Sequence, residues 1–161
     1  MSSTFTEEQK FPKWMRILLS AVSLGSLIPI YYPLFSGIEG TDRTVLIAVS
    51  IPLTIVLVGL TWFFNAMTLK TRITRDEINF SFNPISKKQF LWNEVSYAKV
   101  VNYGFVGGWG IRIWTSYGTV YNTHGKMGLA IELKNGKKYL IGTQKDPELE
   151  SFLKEYVSIK D

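Results

Sequence analysis

The sequence predicts an α+β protein: two transmembrane helices, then a small, bent antiparallel β domain closed by a C-terminal helix. Three observations carry the prediction. Residues 17–38 and 44–69 hold no charged side chain. From Lys70 onward, short runs alternate apolar and polar residues, the period of half-buried strands. Near the end, Leu149, Phe152, Leu153 and Tyr156 recur at helical spacing.

At 161 residues the chain is one ordinary domain, or a small domain with an attachment. It has no cysteine, so it has no disulfide framework, thiol nucleophile or cysteine metal site. Its single histidine, His124, leaves no His–His metal pair. The net charge of +5 is concentrated in residues 70–161, which carry 14 basic and nine acidic side chains. A basic domain directly after apolar runs points to a membrane surface rather than nucleic acid, since no basic helix or base-stacking platform is evident.

Each apolar run is long enough to cross a hydrocarbon core of about 30 Å, with spans at about 15–37 and 44–68. A cleaved signal peptide is rejected, because no small-residue cleavage pattern follows the first run and a second span does. The short link at 39–43 makes the helices antiparallel neighbours. Ser20, Ser23, Gly25 and Ser26 on one span, and Ala48, Pro52 and Gly59 on the other, are the small residues expected to meet. Pro29, Pro33 and Pro52 are expected to bend the helices or fray their ends. Lys10, Lys13 and Arg16 precede the first span and Lys70, Arg72 and Arg75 follow the second, against Arg43 alone in the link, so both termini are expected to be cytoplasmic. Trp14, Tyr31, Tyr32 and Trp62 fall where an interfacial aromatic belt would lie. Residues 1–69 are read as an N-terminal tail and helical hairpin, and 70–161 as a cytoplasmic domain.

Within that domain, 69–76 and 77–82 read as two strands, and 90–101 as a third, bent at Asn93-Glu94. Asn135-Gly136 reads as a two-residue type I′ turn. That turn sets Lys134 opposite Lys137 and Ile131 opposite Leu140, with Leu129, Ile131, Leu133 and Leu140 on one face. Asp146 is the expected N-cap of the last helix, Pro147 its first position, and Glu148 and Glu150 complement its N-terminus. The count is about seven strands and one helix.

The glycine-rich run at 104–114, GFVGGWGIRIW, invites a phosphate-loop reading, which fails. Taking Gly108 and Gly110 as the start of a dinucleotide fingerprint puts Ile113 where the last glycine belongs, no helix follows, and no Gly-Lys-Ser/Thr is present. The glycines lead into a strand with Ile111 and Ile113 on one side and Arg112 and Trp114 on the other. Gly104, Gly107 and Gly108 are expected to form a sharp loop, Gly110 to permit close approach where the sheet bends, and Trp109 to pack. Arg112 stacks on Trp114 or Tyr121, pairs with a carboxylate, or meets a ligand; the sequence leaves these open.

GGWGIR at 107–112, the short strand at Val120-Tyr121, the GLAIEL–NG–KKYLIGTQ hairpin and the Pro-Glu-Leu helix together resemble a bacterial pleckstrin-homology-like domain. The resemblance covers roughly residues 70–158. Its most specific parts are Gly107, Gly108, Trp109 and Gly110, and the IGTQ–PELE segment with Gly142. It implies a bent, PH-like antiparallel sheet of about seven strands capped by the C-terminal helix, placed after two spans in the bacterial cytoplasmic (inner) membrane. It implies no catalytic motif and no cofactor. Some members of the family form homo-oligomers, and phosphoinositide binding is not general among them.

The basic candidates for a lipid- or partner-facing surface are Lys70, Arg72, Arg75, Lys87, Lys88 and Arg112. Lys134, Lys137 and Lys138 read as a solvated hairpin tip. The expectation is a non-catalytic binding or scaffolding module in the membrane, acting through a protein partner or self-association. The alternative is sensing of anionic lipid by the basic face. An accessory role beside a membrane enzyme or transporter is weaker, because the spans contain no ionisable side chain suited to transport chemistry.

Overall fold

The computed structural model of the chain describes residues 4–36 and 43–160, with Leu34 and 156–160 as backbone only. It forms two compact units: Pro12–Ala66, and Met1–Phe11 together with Met67–Asp161.

The helical unit consists of α1 (Lys13–Gly25), α2 (Leu27–Ser36) and α3 (Arg43–Ala66). Lys13–Pro33 and Arg43–Ala66 are long and apolar enough to cross a membrane, with mean hydropathies of 1.4 and 2.4. The first is interrupted at Ser26, three residues before Pro29. Pro29 has no N–H for the Gly25 carbonyl and its ring crowds that group, so the helix breaks there. The Ser26 N–H bonds back to Val22 at 3.0 Å. Pro33 and Pro52 lie inside α2 and α3.

Of the small residues expected to meet, Ser20 and Ser23 lie beside α3, whereas Gly25, Ala48, Pro52 and Gly59 do not. Gly25 and Gly59 have open space where a side chain would be, and Ala48 and Pro52 are exposed. The inward face of α3 runs through Leu46, Ser50, Thr54, Leu57, Thr61 and Asn65, at helical spacing. Ser50 is buried, Asn65 Nδ2 donates to Ser20 Oγ at 3.3 Å, and Tyr31 shares a 2.7 Å hydrogen bond with Thr54. Thr54 donates its own proton to the Ser50 carbonyl, so Tyr31 is the donor. The polar side chains of α3 thus satisfy one another and α1–α2 on the inward face, while the outward face is apolar. Trp14, Tyr32 and Trp62 are exposed. The expected link at 39–43 lies outside the described residues, except for Arg43.

The second unit holds nine strands among the described residues, not the seven expected. β1 (Thr4–Lys10), β2 (Thr68–Thr74), β3 (Glu77–Asn83) and β4 (Ser86–Leu91) form one antiparallel sheet in that order. β5 (Val95–Asn102), β6 (Gly110–Thr115), β7 (Gly118–Asn122), β8 (Met127–Leu133) and β9 (Lys138–Thr143) form a second, ordered β5-β8-β9-β7-β6, with β7 and β9 parallel. The long third run splits at a 3₁₀ turn, Trp92–Glu94, at the expected bend. The extra strand at the start is β1: the segment read as a tail pairs with β2 from Thr4↔Thr74 to Lys10↔Thr68.

Leu69, Ile73, Ile78, Phe80 and Phe82 of the first sheet and Leu129, Ile131 and Ile141 of the second are all buried. Phe80–Tyr121 and Phe90–Tyr139, each with ring centroids 4.9 Å apart, join the layers. The outer face of the second sheet carries a smaller cluster of Tyr103, Val120, Ala130 and Leu140, covered by Val101, Val106 and Tyr117. α4 (Asp146–Lys160) packs on β1 and β5, with Leu149 1% exposed. The Lys145 carbonyl accepts the first helical bond, from Leu149 N, so Lys145 holds the N-cap position and Asp146 the first helical one. The Tyr156 side chain lies outside the described residues.

The hairpin register is one residue off the expected one. Ile131 faces Tyr139 and Ala130 faces Leu140, which puts Leu140 in the outer cluster, away from Leu129, Ile131 and Leu133. Gly136 N bonds to the Leu133 carbonyl, and Leu133 N to the Lys137 carbonyl. Only Gly136 has positive φ, at 80°. A type I′ turn needs positive φ at both central residues; this loop is instead a type I turn closed by a left-handed Gly136, and it takes in one more residue.

Candidate functional site

Strand alternation decides which of the six basic candidates share a surface. On β2, Leu69, Thr71 and Ile73 point inward, so Lys70 and Arg72 point outward. The register Lys70↔Ser81↔Lys87 then sets Lys87 two strands from Lys70, about 10 Å away on the same face. Lys70, Arg72 and Lys87, with Glu8, Thr6, Asn79 and Ser81, line a shallow depression of about 400 Å³ on the outside of the first sheet. Lys70 pairs with Glu8 at 3.1 Å, both half exposed. Such a surface pair contributes about 1 kcal/mol at most and yields readily to a stronger anion. Among the described residues, Arg72 and Lys87 form no ion pair, so the depression is net cationic.

The other three candidates lie elsewhere. Lys88 is paired with Phe80 and faces the interior side of β4, half buried. Arg75 sits in the β2–β3 turn, at the opposite end of β2 from Thr68. Arg112 lies on β6 in the second sheet. It is exposed, it forms no ion pair among the described residues, and its guanidinium covers Gly108: a Cβ there would lie 2.5 Å from Nη2. Its register partner is Val120, on the face opposite Tyr121, which removes the Tyr121 stack. Gly104, Gly107, Gly108 and Gly110 all adopt positive φ, and Gly110 has open space where a side chain would be, so it serves backbone conformation rather than close approach. Close approach occurs at Gly142, where a Cβ would lie 3.0 Å from Asn122 Cβ. Trp109 is half buried.

Sequence reasoning missed β1, which supplies Glu8 to the depression and a polar seam to the interior. Phe5, Glu7, Gln9 and Phe11 all point inward. Glu7 Oε1 accepts from Gln144 N and Oε2 from Thr143 Oγ1, both at 2.7 Å. Gln9 Nε2 donates to the Gly142 carbonyl at 2.7 Å, and Thr123 Oγ1 donates to Gln9 Oε1 at 3.1 Å. With the Thr123 proton so engaged, the 3.1 Å contact to His124 is donated by His124 Nδ1. Burial holds the His124 imidazole below its ordinary pKa, and the Glu7 carboxylate partly opposes this. Burial pushes the Tyr103 phenol up, with an opposing hydrogen bond from Asn122. Both Glu7 oxygens are occupied, which suits a structural carboxylate rather than a proton shuttle. The only sequence signal for β1 is Thr4-Phe5-Thr6 and the even spacing of Phe5 and Phe11.

Among the described residues, no group of three or more His, Asp or Glu side chains is placed to hold a metal ion. Comparison with protein-family models finds no match, and comparison with curated proteins finds none either.

Proposed function

We propose that the chain is an integral membrane protein presenting a non-catalytic, pleckstrin-homology-like module on the cytoplasmic face, and that the module binds anionic lipid headgroups through Lys70, Arg72 and Lys87. The observation that carries this reading is the gathering of these three cations in a single depression whose acidic lining residues are Glu8 and the inward-pointing Glu7. Two mostly antiparallel sheets and a C-terminal helix packed on them support the domain type.

Chain connectivity supports the lipid. Lys70 follows the last residue of α3 by four positions, a reach of at most about 14 Å. That is close to the Debye length of about 8–10 Å over which a charged leaflet is felt. Each basic side chain so placed is worth about 1 kcal/mol against an anionic surface. Of the partner classes the sequence leaves open, the gathered cations favour anionic lipid over a protein surface.

Lysine footprinting tests the reading. The full chain in nanodiscs of phosphatidylcholine, with and without phosphatidylglycerol, is acetylated briefly and analysed by mass spectrometry. Lys70 and Lys87 are expected to react several-fold more slowly with anionic lipid at low salt, and to recover at high salt. Lys134 and Lys137 are expected to be unaffected. Equal rates at Lys87 in both lipids would refute the proposal.

A further inference from the structure

The most exposed large apolar side chains of the β unit belong to β6 and the loop before it. Trp114 is 93% exposed, Phe105 82% and Ile113 54%. β6 is the outer strand of its sheet. Its register with β7 is broken between Arg112 and Thr115, which frees Ile113 and Trp114 from the ladder. Trp114 has φ 58°, a left-handed conformation that bulky residues rarely adopt. The backbone thus holds an indole outward where an ordinary strand would alternate it against a neighbour.

Charge identifies what this edge meets. Residues 95–131 contain Lys99, Arg112 and Lys126 and no aspartate or glutamate. All three basic residues are exposed. Lys99 lies on β5 at the far edge of the sheet. Arg112, however, lies on β6 itself, and the Lys126 carbonyl accepts from Tyr103 N, two residues before Phe105. Aromatic rings with such cations nearby match the boundary between headgroups and acyl chains, where Trp and Phe place their rings and Arg meets phosphate. A second copy of the same edge would set cation against cation. Two segments able to span a bilayer bring that surface within reach of the same chain.

We propose that Phe105, Ile113 and Trp114 form an interfacial wedge that seats β6 in the headgroup–acyl boundary of the membrane the helices cross. This rests on the lipid-facing reading above and adds a salt-resistant, apolar contact to it.

Because the chain has no cysteine, single nitroxide labels test the wedge cleanly. Phe105→Cys and Trp114→Cys are each labelled in the full chain, in nanodiscs containing phosphatidylglycerol, with Lys137→Cys as the aqueous reference. The wedge predicts high oxygen and several-fold lower nickel–EDDA accessibility at both sites than at Lys137, unchanged by salt. If Trp114→Cys misfolds, Phe105→Cys and Ile113→Cys carry the test. Aqueous accessibility at these sites overturns the wedge. Lys87 footprinting then separates the two failures: protection of Lys87 leaves the lipid-binding face standing, and its absence removes both. Shielding from both reagents with spin–spin broadening marks contact between protein copies and also overturns the wedge.

Discussion

Thr143 Oγ1 donates a 2.7 Å hydrogen bond to Glu7 Oε2, joining the first strand to the last across 136 positions of sequence. Glu7 takes a second bond from Gln144 N. A hydrogen bond to a charged group contributes about 1.5–3 kcal/mol, and removing one partner leaves the other buried and unmet. Glu7→Ala is therefore expected to destabilise the β unit by about 2–3 kcal/mol, read as a lowered urea midpoint. It also follows that residues 67–161 expressed alone will not give the native fold, since they lack β1. Joining residues 1–11 to them through a flexible linker is expected to restore slow amide exchange in β2 and β9.

His124 makes the same region sensitive to acid. Its folded pKa lies below the ordinary 6.5, chiefly through burial. As pH falls through that value, the unfolded chain takes up the proton first, so stability drops, and the loss levels off below the folded pKa. Urea unfolding from about pH 8 to pH 5 is expected to show this decline, and His124→Gln to make it shallower. A decline of equal slope in the variant would assign it to other groups.

Gly118 tests the parallel β7–β9 pairing. It has φ 72°, and a Cβ there would lie 2.2 Å from the Lys138 carbonyl oxygen. That clash is with backbone, which cannot move aside cheaply. Gly118→Ala is expected to cost at least about 2 kcal/mol in thermal or urea unfolding.

The β8–β9 loop separates two turn types by mutation. With positive φ at Gly136 alone, Gly136→Ala is expected to cost about 1 kcal/mol. Asn135 contributes one exposed side-chain bond to Lys137 N at 3.1 Å, so Asn135→Ala is expected to cost about half that. A type I′ turn would make both substitutions costly.

These positions also show what was legible in the sequence. The β2, β3 and β8 alternation could be read because Ile78, Phe80, Phe82, Leu129 and Ile131 place apolar side chains on one face. The 92–94 bend was visible because Asn93-Glu94 interrupts the apolar run. β1 was hidden because two of its inward positions are Glu7 and Gln9, which are satisfied by distant partners that no local pattern reveals. Asn-Gly fits two hairpin loops, and only the backbone dihedrals separate them. The basic depression was half legible: the charges of Lys70, Arg72 and Lys87 are in the sequence, but pairing through Ser81 puts them together and turns Lys88 away.

The central claim is that the outer face of the first sheet lies against an anionic leaflet. A nitroxide at Ser81→Cys, between Lys70 and Lys87 in register, reports on that face directly. In full-chain nanodiscs, adding phosphatidylglycerol is expected to lower its nickel–EDDA accessibility. Replacing Lys70, Arg72 and Lys87 together with glutamine is expected to abolish the change. Accessibility that is the same with and without anionic lipid would contradict the account.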